Sequence, residues 1–359
     1  MAEPSPRILF AAGDPGGANA ILPVLTHLAD CGHPVGLLDH GPLGRAAADL
    51  PRVKFPQDCA DASLWLRDNG IRALCFGTSL ADPLALTLAR AAGRLGLRTV
   101  CVLDNWMNYR MRLMMDGHPP FWPDVYAVMD DKAREEALAD GVPAACLTVT
   151  GHPGLACLAQ LPQQATRSAR LSQRRALGLP GPDRKLVVFI NEPVQADQGD
   201  PTRPDYRGYT EATVLPALCR QLERLNQPLF LALVPHPRDD LAGLEALWQQ
   251  CRGNLEGQIL SGLTGRQAVA LADKVVGMAS ILLYEAWLLG RPTLSLQPGL
   301  RRPDLASLKA RQGLFFVESE CDMAAAIQDW WQTLNRTSSR RLDLNRHAGA
   351  AGRIADLLI

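Results

Sequence analysis

Residues 271–297, LADKVVGMASILLYEAWLLGRPTLSLQ, constrain the fold more than any other stretch of the chain. Residues 272–276 read as a short buried strand and Gly277-Met278-Ala279-Ser280 as a small-residue turn. Residues 281–289 read as a helix closed by Gly290, with Arg291-Pro292 leading into a second strand at 293–296. Glycine just past a helix and proline just beyond it form a stop signal, because glycine takes up a left-handed conformation and proline cannot continue the ladder. Two strands joined through a helix lie parallel in one sheet with a right-handed crossover. The turn sets backbone N–H groups and the Ser280 hydroxyl at the positive end of the helix, where a phosphate is stabilised. Glu285 follows about one and a half turns later in an otherwise apolar helix. A plain α/β core with Glu285 on its wet face is the alternative reading of the same residues.

The same rhythm opens the chain. Residues 7–12, RILFAA, form a buried strand stopped by Gly13-Asp14-Pro15-Gly16-Gly17; a helix over 21–29 and a strand beginning at 33–38 follow. Strand, glycine loop, helix and strand are the opening of a doubly wound domain. The loop has neither the spacing G-x-G-x-x-G nor the Lys-Ser/Thr of a P-loop, so neither nucleotide motif applies. It reads either as a tight turn or as a backbone cradle in which Gly16 and Gly17 admit a ligand, Asp14 is a candidate base and Asn19 a polar contact. Further strands fall at 72–76 and 97–103, with a helix over 83–94 between them. The last of these strands runs into Asp104-Asn105-Trp106-Met107-Asn108-Tyr109-Arg110, the densest polar and aromatic stretch. Ligands of open α/β sheets bind at such carboxyl ends. Aromatics stack on sugar or base faces, and acid, amide and guanidinium groups offer directional hydrogen bonds, so Asp104, Trp106, Asn108, Tyr109 and Arg110 are candidates. A loop anchored by Trp106 and Tyr109 is the structural alternative. A strand at 125–129, a helix at 132–138 and Val149-Thr150-Gly151-His152-Pro153 complete this half, His152 being a turn cap or a cleft contact.

The expected organisation is a first domain over 1–160, a linker over 161–183 with a polar helix at 165–177, a second domain over 184–345, and a terminal helix over 346–359. In the second half, strand 185–190 ends in Asn191-Glu192-Pro193, and strand 229–234 ends in Pro235-His236-Pro237-Arg238. The Asp-, Gly- and Pro-rich residues 195–207 read as mobile, residues 210–225 as a helix, and 323–334 as a helix packing Trp330 and Trp331. After residue 297, the loop carrying Arg301 and Arg302 sits at another strand end.

Composition sets the outer limits. A length of 359 residues favours two domains. Apolar content of 47%, charged content of 21% and zero formal net charge describe a globular chain with no bulk attraction to nucleic acid or anionic membrane. The nine cysteines contain no CxxC pair and read as reduced core thiols of a cytoplasmic protein, not as a zinc site. No apolar run approaches the roughly 20 residues of a membrane helix, and no signal peptide is expected. Peripheral membrane contact through a helix face stays open, as does the oligomeric state.

The run "aDlvv…S…Ea…lG.P.l" within 271–297 resembles the donor-site segment of GT-B glycosyltransferases and of the non-hydrolysing UDP-GlcNAc 2-epimerases. The resemblance implies two Rossmann-like doubly wound α/β domains facing a cleft, the GT-B architecture. It implies Met278, Ala279 and Ser280 at a nucleotide diphosphate and Glu285 on the ribose. His-Pro at 236–237 resembles a motif of bacterial sialyl-, Kdo- and glycerophosphotransferases whose histidine contacts donor phosphate, with Arg238 as a fixed charge beside it. Asn191, Glu192 and Arg301 take donor positions by the same likeness. Asp104 resembles a carboxylate of the epimerase site, although the Ala-Gly-Leu-Arg that follows it there is absent. The implied function is transfer of a sugar from a nucleotide-sugar, UDP-linked or else CMP- or CDP-linked, to a small-molecule or glycan acceptor. Asp14 or Asp104 would be the base and His236 would act on the leaving group, with no metal and no further cofactor. Epimerisation of a sugar nucleotide and sugar-nucleotide binding without turnover are the alternatives.

Overall fold

Short runs of β-branched and large apolar residues, each buried on both faces, dictate two parallel sheets. Such strands need a helical layer on either side, because their connections cross over the sheet. A computed structural model describes residues 7–46, 50–56, 59, 61–79, 82–160, 167–309, 311–334 and 341–359. The first sheet contains β1 (Arg7–Ala11), β2 (Val35–Leu38), β3 (Arg52–Val53), β4 (Ile71–Phe76), β5 (Arg98–Val102), β6 (Val125–Val128) and β7 (Leu147–Val149). Its order is β3-β2-β1-β4-β5-β6-β7, parallel throughout. The second contains β8 (Lys185–Ile190), β9 (Leu229–Val234), β10 (Gly257–Ile259), β11 (Lys274–Gly277), β12 (Thr293–Leu296) and β13 (Leu314–Val317). Its order is β10-β9-β8-β11-β12-β13, again parallel. These are two Rossmann-like domains. In each the strand order reverses once, between β1 and β4 and between β8 and β11, which is where open α/β sheets present ligand sites.

The chain divides into two compact units, Met1–Leu161 with Leu342–Ile359, and Pro162–Arg341. The carboxyl-terminal residues belong to the first unit, where Ile354, Ala355 and Leu358 join Ile21, Val24 and Leu25 in the core. The single terminal helix expected over 346–359 is instead two helices, Arg341–His347 and Ala350–Asp356. Gly349 separates them at φ 73°, in the left-handed region that breaks a helix.

The glycine loop is the other departure. The helix expected to begin near 21 begins at Pro15 and runs Pro15–Asp30, with Asp14 as the extended residue before it. Proline is tolerated in a first helical turn because its missing N–H is unused there. The glycines answer to close packing: a Cβ on Gly17 would lie 3.2 Å from the Gly77 backbone, and one on Gly77 only 2.7 Å from Gly17. Residues 195–207, read as mobile, instead form the short helix Val194–Gln198 and a segment docked on the 299–301 loop through Arg301 N–H to Arg207 O at 2.9 Å. Cys75, Cys101, Cys146 and Cys219 are buried, but Cys31, Cys157 and Cys321 are exposed, so the thiols are not uniformly core residues. Among the described residues no helix is long and apolar enough to cross a membrane.

Candidate functional site

At the carboxyl edge of the second sheet, β8, β9 and β11 end side by side in polar residues. Asn191, buried after β8, donates its amide to Asp239 Oδ2 at 2.8 Å, which fixes the orientation of the side chain. Its Oδ1 is then buried without a hydrogen-bond partner. An unsatisfied buried acceptor costs about 1–3 kcal/mol, so this oxygen is suited to a ligand N–H or O–H.

The β9 loop is folded by its own Asp239. The Asp239 carboxylate accepts the His236 N–H at 2.6 Å, and the Asp239 N–H returns to His236 O at 2.9 Å. Arg238 N–H donates to His236 Nδ1 at 3.2 Å, which assigns the ring proton to Nε2. Burial, and then the Arg238 charge, lower the His236 pKa below its usual value despite the opposing carboxylates Asp239, Glu192 and Asp197. The ring therefore presents Nε2–H as its donor, and the lowered pKa favours the neutral imidazole. Arg238 is exposed and forms a bidentate pair with Asp197, at 2.8 and 2.7 Å.

The β11 turn is where the expected diphosphate contacts lie. Ser280 is the N-cap of the helix Ile281–Leu288, its hydroxyl accepting from Leu282 N–H. No acceptor among the described residues takes the N–H groups of Ser280 or Ile281. The Ala279 N–H, by contrast, is held by Glu192 Oε2 at 2.7 Å, while Glu192 Oε1 pairs with Arg207 at 3.2 Å. Arg207 is largely buried; burial disfavours its charge, but Glu192 and Tyr209 together outweigh this and hold its pKa above the usual value. Met278 is fully buried in the core and contributes only its carbonyl, which accepts from Ser295 Oγ at 2.5 Å and Gln297 Nε2 at 3.1 Å. Gln297 also accepts from Tyr209 at 3.0 Å, so a buried polar network fixes the turn. Glu285 points back to Arg266, which it binds through both oxygens at 2.6 and 2.7 Å. Arg301 lies with its guanidinium 5.2 Å from the Tyr206 ring centre.

In the first unit the carboxyl edge brings together the glycine turn and the 104–112 loop. A Cβ on Gly16 would fall 2.1 Å from Asp104 Oδ2, so the Asp104 carboxylate rests directly on the first turn of the Pro15–Asp30 helix. Asp104 is also bound to Arg112 at 2.5 Å, and both side chains are mostly buried. Asp14 stands half-buried at the helix entrance, and Asn19 is exposed one turn on. Trp106 and Tyr109 turn inward: Trp106 donates to Asp130 at 2.9 Å and Tyr109 to Glu136 at 2.5 Å. They anchor the loop and offer no free ring face for stacking. Asn108 makes the bend at φ 56°. Arg110 is exposed, and its N–H donates to Asp140 at 2.8 Å. His152 is buried and its N–H donates to His347 Nδ1 at 3.1 Å.

Sequence reasoning missed Arg207, Asp239, Arg266 and a histidine–aspartate pair in the first unit. His40, just after β2, lies 2.5 Å from Asp82 Oδ2, and Asp82 in turn lies against Gly13. The signal was present as Asp-His-Gly-Pro at the end of a strand, but Asp82 is brought to it only by the fold.

No protein-family model matches the chain, and neither does any curated protein. Solved structures do resemble it. The UDP-GlcNAc 2-epimerase of Neisseria meningitidis bound to UDP-GlcNAc superposes with a TM-score of 0.63 at 10% identity, over 98% of this chain and 99% of that one. The Methanocaldococcus jannaschii UDP-GlcNAc 2-epimerase in complex with UDP-GlcNAc and UDP gives 0.66 at 12% identity over the same shares. Acinetobacter baumannii MurG gives 0.59 at 16% identity, over 98% of this chain and 99% of that one. The chain therefore has the two-domain fold that these epimerases and GT-B glycosyltransferases share, at identities that carry the fold alone.

Proposed function

We propose that the chain is an enzyme acting on a nucleotide-sugar, most directly a glycosyltransferase that binds its donor at the carboxyl edge of the second sheet. The observation that carries this reading is the convergence of donors and an orphan acceptor at that edge. His236 Nε2–H, the N–H groups of Ser280 and Ile281 and the unsatisfied Asn191 Oδ1 lie on neighbouring strand ends. Phosphate oxygens suit the helix N-terminus and the neutral imidazole donor. A sugar or base N–H or O–H suits the asparagine oxygen. Glu285 has a second lone pair on each oxygen for ribose hydroxyls while Arg266 holds it in place. UDP-linked donors come first, with CMP- and CDP-linked donors as the alternatives, and the acceptor is a hydroxyl of a small molecule or glycan. Asp14, Asp104 and His40 are the candidate bases. Of these, Asp104 is the one already paired with a cation, Arg112.

The second reading is sugar-nucleotide epimerisation, which the superpositions on UDP-GlcNAc 2-epimerases favour. Thermal shift of the purified chain against UDP, CMP, CDP, GDP and dTDP and their sugars tests the shared donor site, since selective native-state ligands raise the midpoint. A shift for one nucleotide, lost in His236→Ala or Glu285→Ala, supports the site. Absence of any shift on folded protein removes the proposal. Conversion of a donor incubated alone into a new sugar nucleotide assigns epimerisation over transfer.

A further inference from the structure

The opposite end of the second sheet carries a second, unassigned concavity of about 330 Å³. It is lined by six cations, Arg167, Arg170, Arg174, Arg184, Lys185 and Lys274, and by one carboxylate, Asp273. The chain as a whole has no net charge, so this is a local concentration and not a general basic character. It arises from the topology: Lys185 opens β8 and Lys274 opens β11, and these strands are parallel neighbours, so both lysines emerge at the same end.

The counter-charge present is already committed. Asp273 accepts Leu186 N–H at 2.9 Å and pairs with Arg174 at 2.9 Å, with Arg170 at 3.9 Å. Arg184 is paired with Glu256. Arg167, Lys185 and Lys274 have no carboxylate partner among the described residues. Lys274 is 2% exposed; its ammonium donates to Trp330 O and Thr333 O, both at 2.8 Å, and an ammonium has three N–H groups. Lys185 stands 4.4 Å from the centre of the Trp331 ring and Lys274 5.7 Å from the same ring, which brings the two cations over one aromatic floor. Burial, and then the neighbouring Lys185, lower the Lys274 pKa to about 7 against the smaller opposing effect of the Asp273 charge.

We propose that this cavity, at the amino ends of β8 and β11, binds a phosphate-bearing anion, independently of the donor surface at the other end of the sheet. Guanidinium forks and ammonium groups match the several oxygens and multiple charge of a phosphate ester or diphosphate better than a single carboxylate. At roughly 30 Å³ per water, the cavity has room for a phosphate and the small group that bears it. The same chemistry is offered by a soluble phosphate compound and by a phospholipid headgroup.

Isothermal titration of the full chain with inorganic pyrophosphate, and co-sedimentation with phosphatidylglycerol or phosphatidylcholine vesicles, separate these sources. The Arg167→Glu/Lys185→Glu variant changes exposed side chains only, and Lys274→Met tests the buried contact. Saturable pyrophosphate binding that weakens at least tenfold in the double variant and is unchanged in His236→Gln is the expected result. Binding to phosphatidylglycerol vesicles alone, lost in the same variant, assigns the headgroup source. Absence of binding to both probes, affinity unchanged in the folded double variant, or loss in His236→Gln instead overturns the proposal.

Discussion

Arg266→Met should destabilise the second unit more than its surface position suggests. The Glu285 side chain is 4% exposed and has both oxygens on the Arg266 guanidinium. Removing one partner of a buried pair typically costs about 3–5 kcal/mol, because the remaining charge is stranded. Arg266 is 36% exposed, so water reaches part of the gap, and the cost falls to about 2–3 kcal/mol. For a unit of this size, about 2–4 °C per kcal/mol puts the drop in midpoint near 5–10 °C. Calorimetry of the full chain reads it as a shift of one transition, since two units need not unfold together. The Arg266→Met/Glu285→Leu double variant should recover most of the loss, because an apolar pair strands no charge. Under the donor reading Arg266→Met also weakens nucleotide binding, since it releases the carboxylate expected at the ribose. A single-variant cost below about 0.5 kcal/mol would refute the reasoning, as it would mean that Glu285 is adequately solvated without its partner.

Three further outcomes follow from the geometry. The His236 pKa is lowered in the folded chain, so the unfolded chain takes up the proton first as pH falls through about 6.5, and stability is lost in that window. His236→Gln should flatten this part of a urea-midpoint profile measured between pH 5 and 8. Gly208→Ala places a Cβ 1.9 Å from Gly299 O at a residue with φ 98°, so the 199–208 segment should detach; trypsin cleavage after Arg207 should accelerate several-fold. Trp106→Phe removes a buried donor from Asp130 and should cost about 1–3 kcal/mol in chemical denaturation, with nucleotide binding unchanged.

What was legible in the sequence was what local pattern determines. The Thr293–Leu296 strand lies where its apolar run and the preceding Gly-Arg-Pro placed it, and the strand ends at Asn191 and His236 lie where the polar residues interrupt the apolar runs. The first helix was misplaced because its glycines look like a loop. They are glycines for a tertiary reason, the approach of Asp104 and Gly77. β3 and β10 are two and three residues long, too short for any period to show, and their pairing comes from neighbouring strands. The aromatics at 106 and 109 were ambiguous between ligand platform and anchor, and Asp130 and Glu136, more than twenty residues away in sequence, decide it. Arg207 sat in a segment whose composition resembles a mobile loop, and its part in the site comes from its contact with Glu192, which the fold alone creates.

The Glu192 contact bears on the anion binding proposed at the second switch point. Helix N-termini attract negative charge, and here part of that capacity is already used by a carboxylate of the same chain on Ala279 N–H. A second anion beside it is repelled unless the Glu192 charge is offset, and Arg207, largely buried and bound to the other oxygen of Glu192, offsets it. The remaining donors, Ser280 and Ile281 N–H and the neutral His236, add no net charge of their own. The edge is thus less cationic than a phosphate seat built of arginines, and its selectivity would come from directed hydrogen bonds and the orphan Asn191 oxygen. Such a surface favours ligands in which phosphate is flanked by hydroxyl and amide groups over bare phosphate, in contrast to the cationic cavity at the other end of the same sheet.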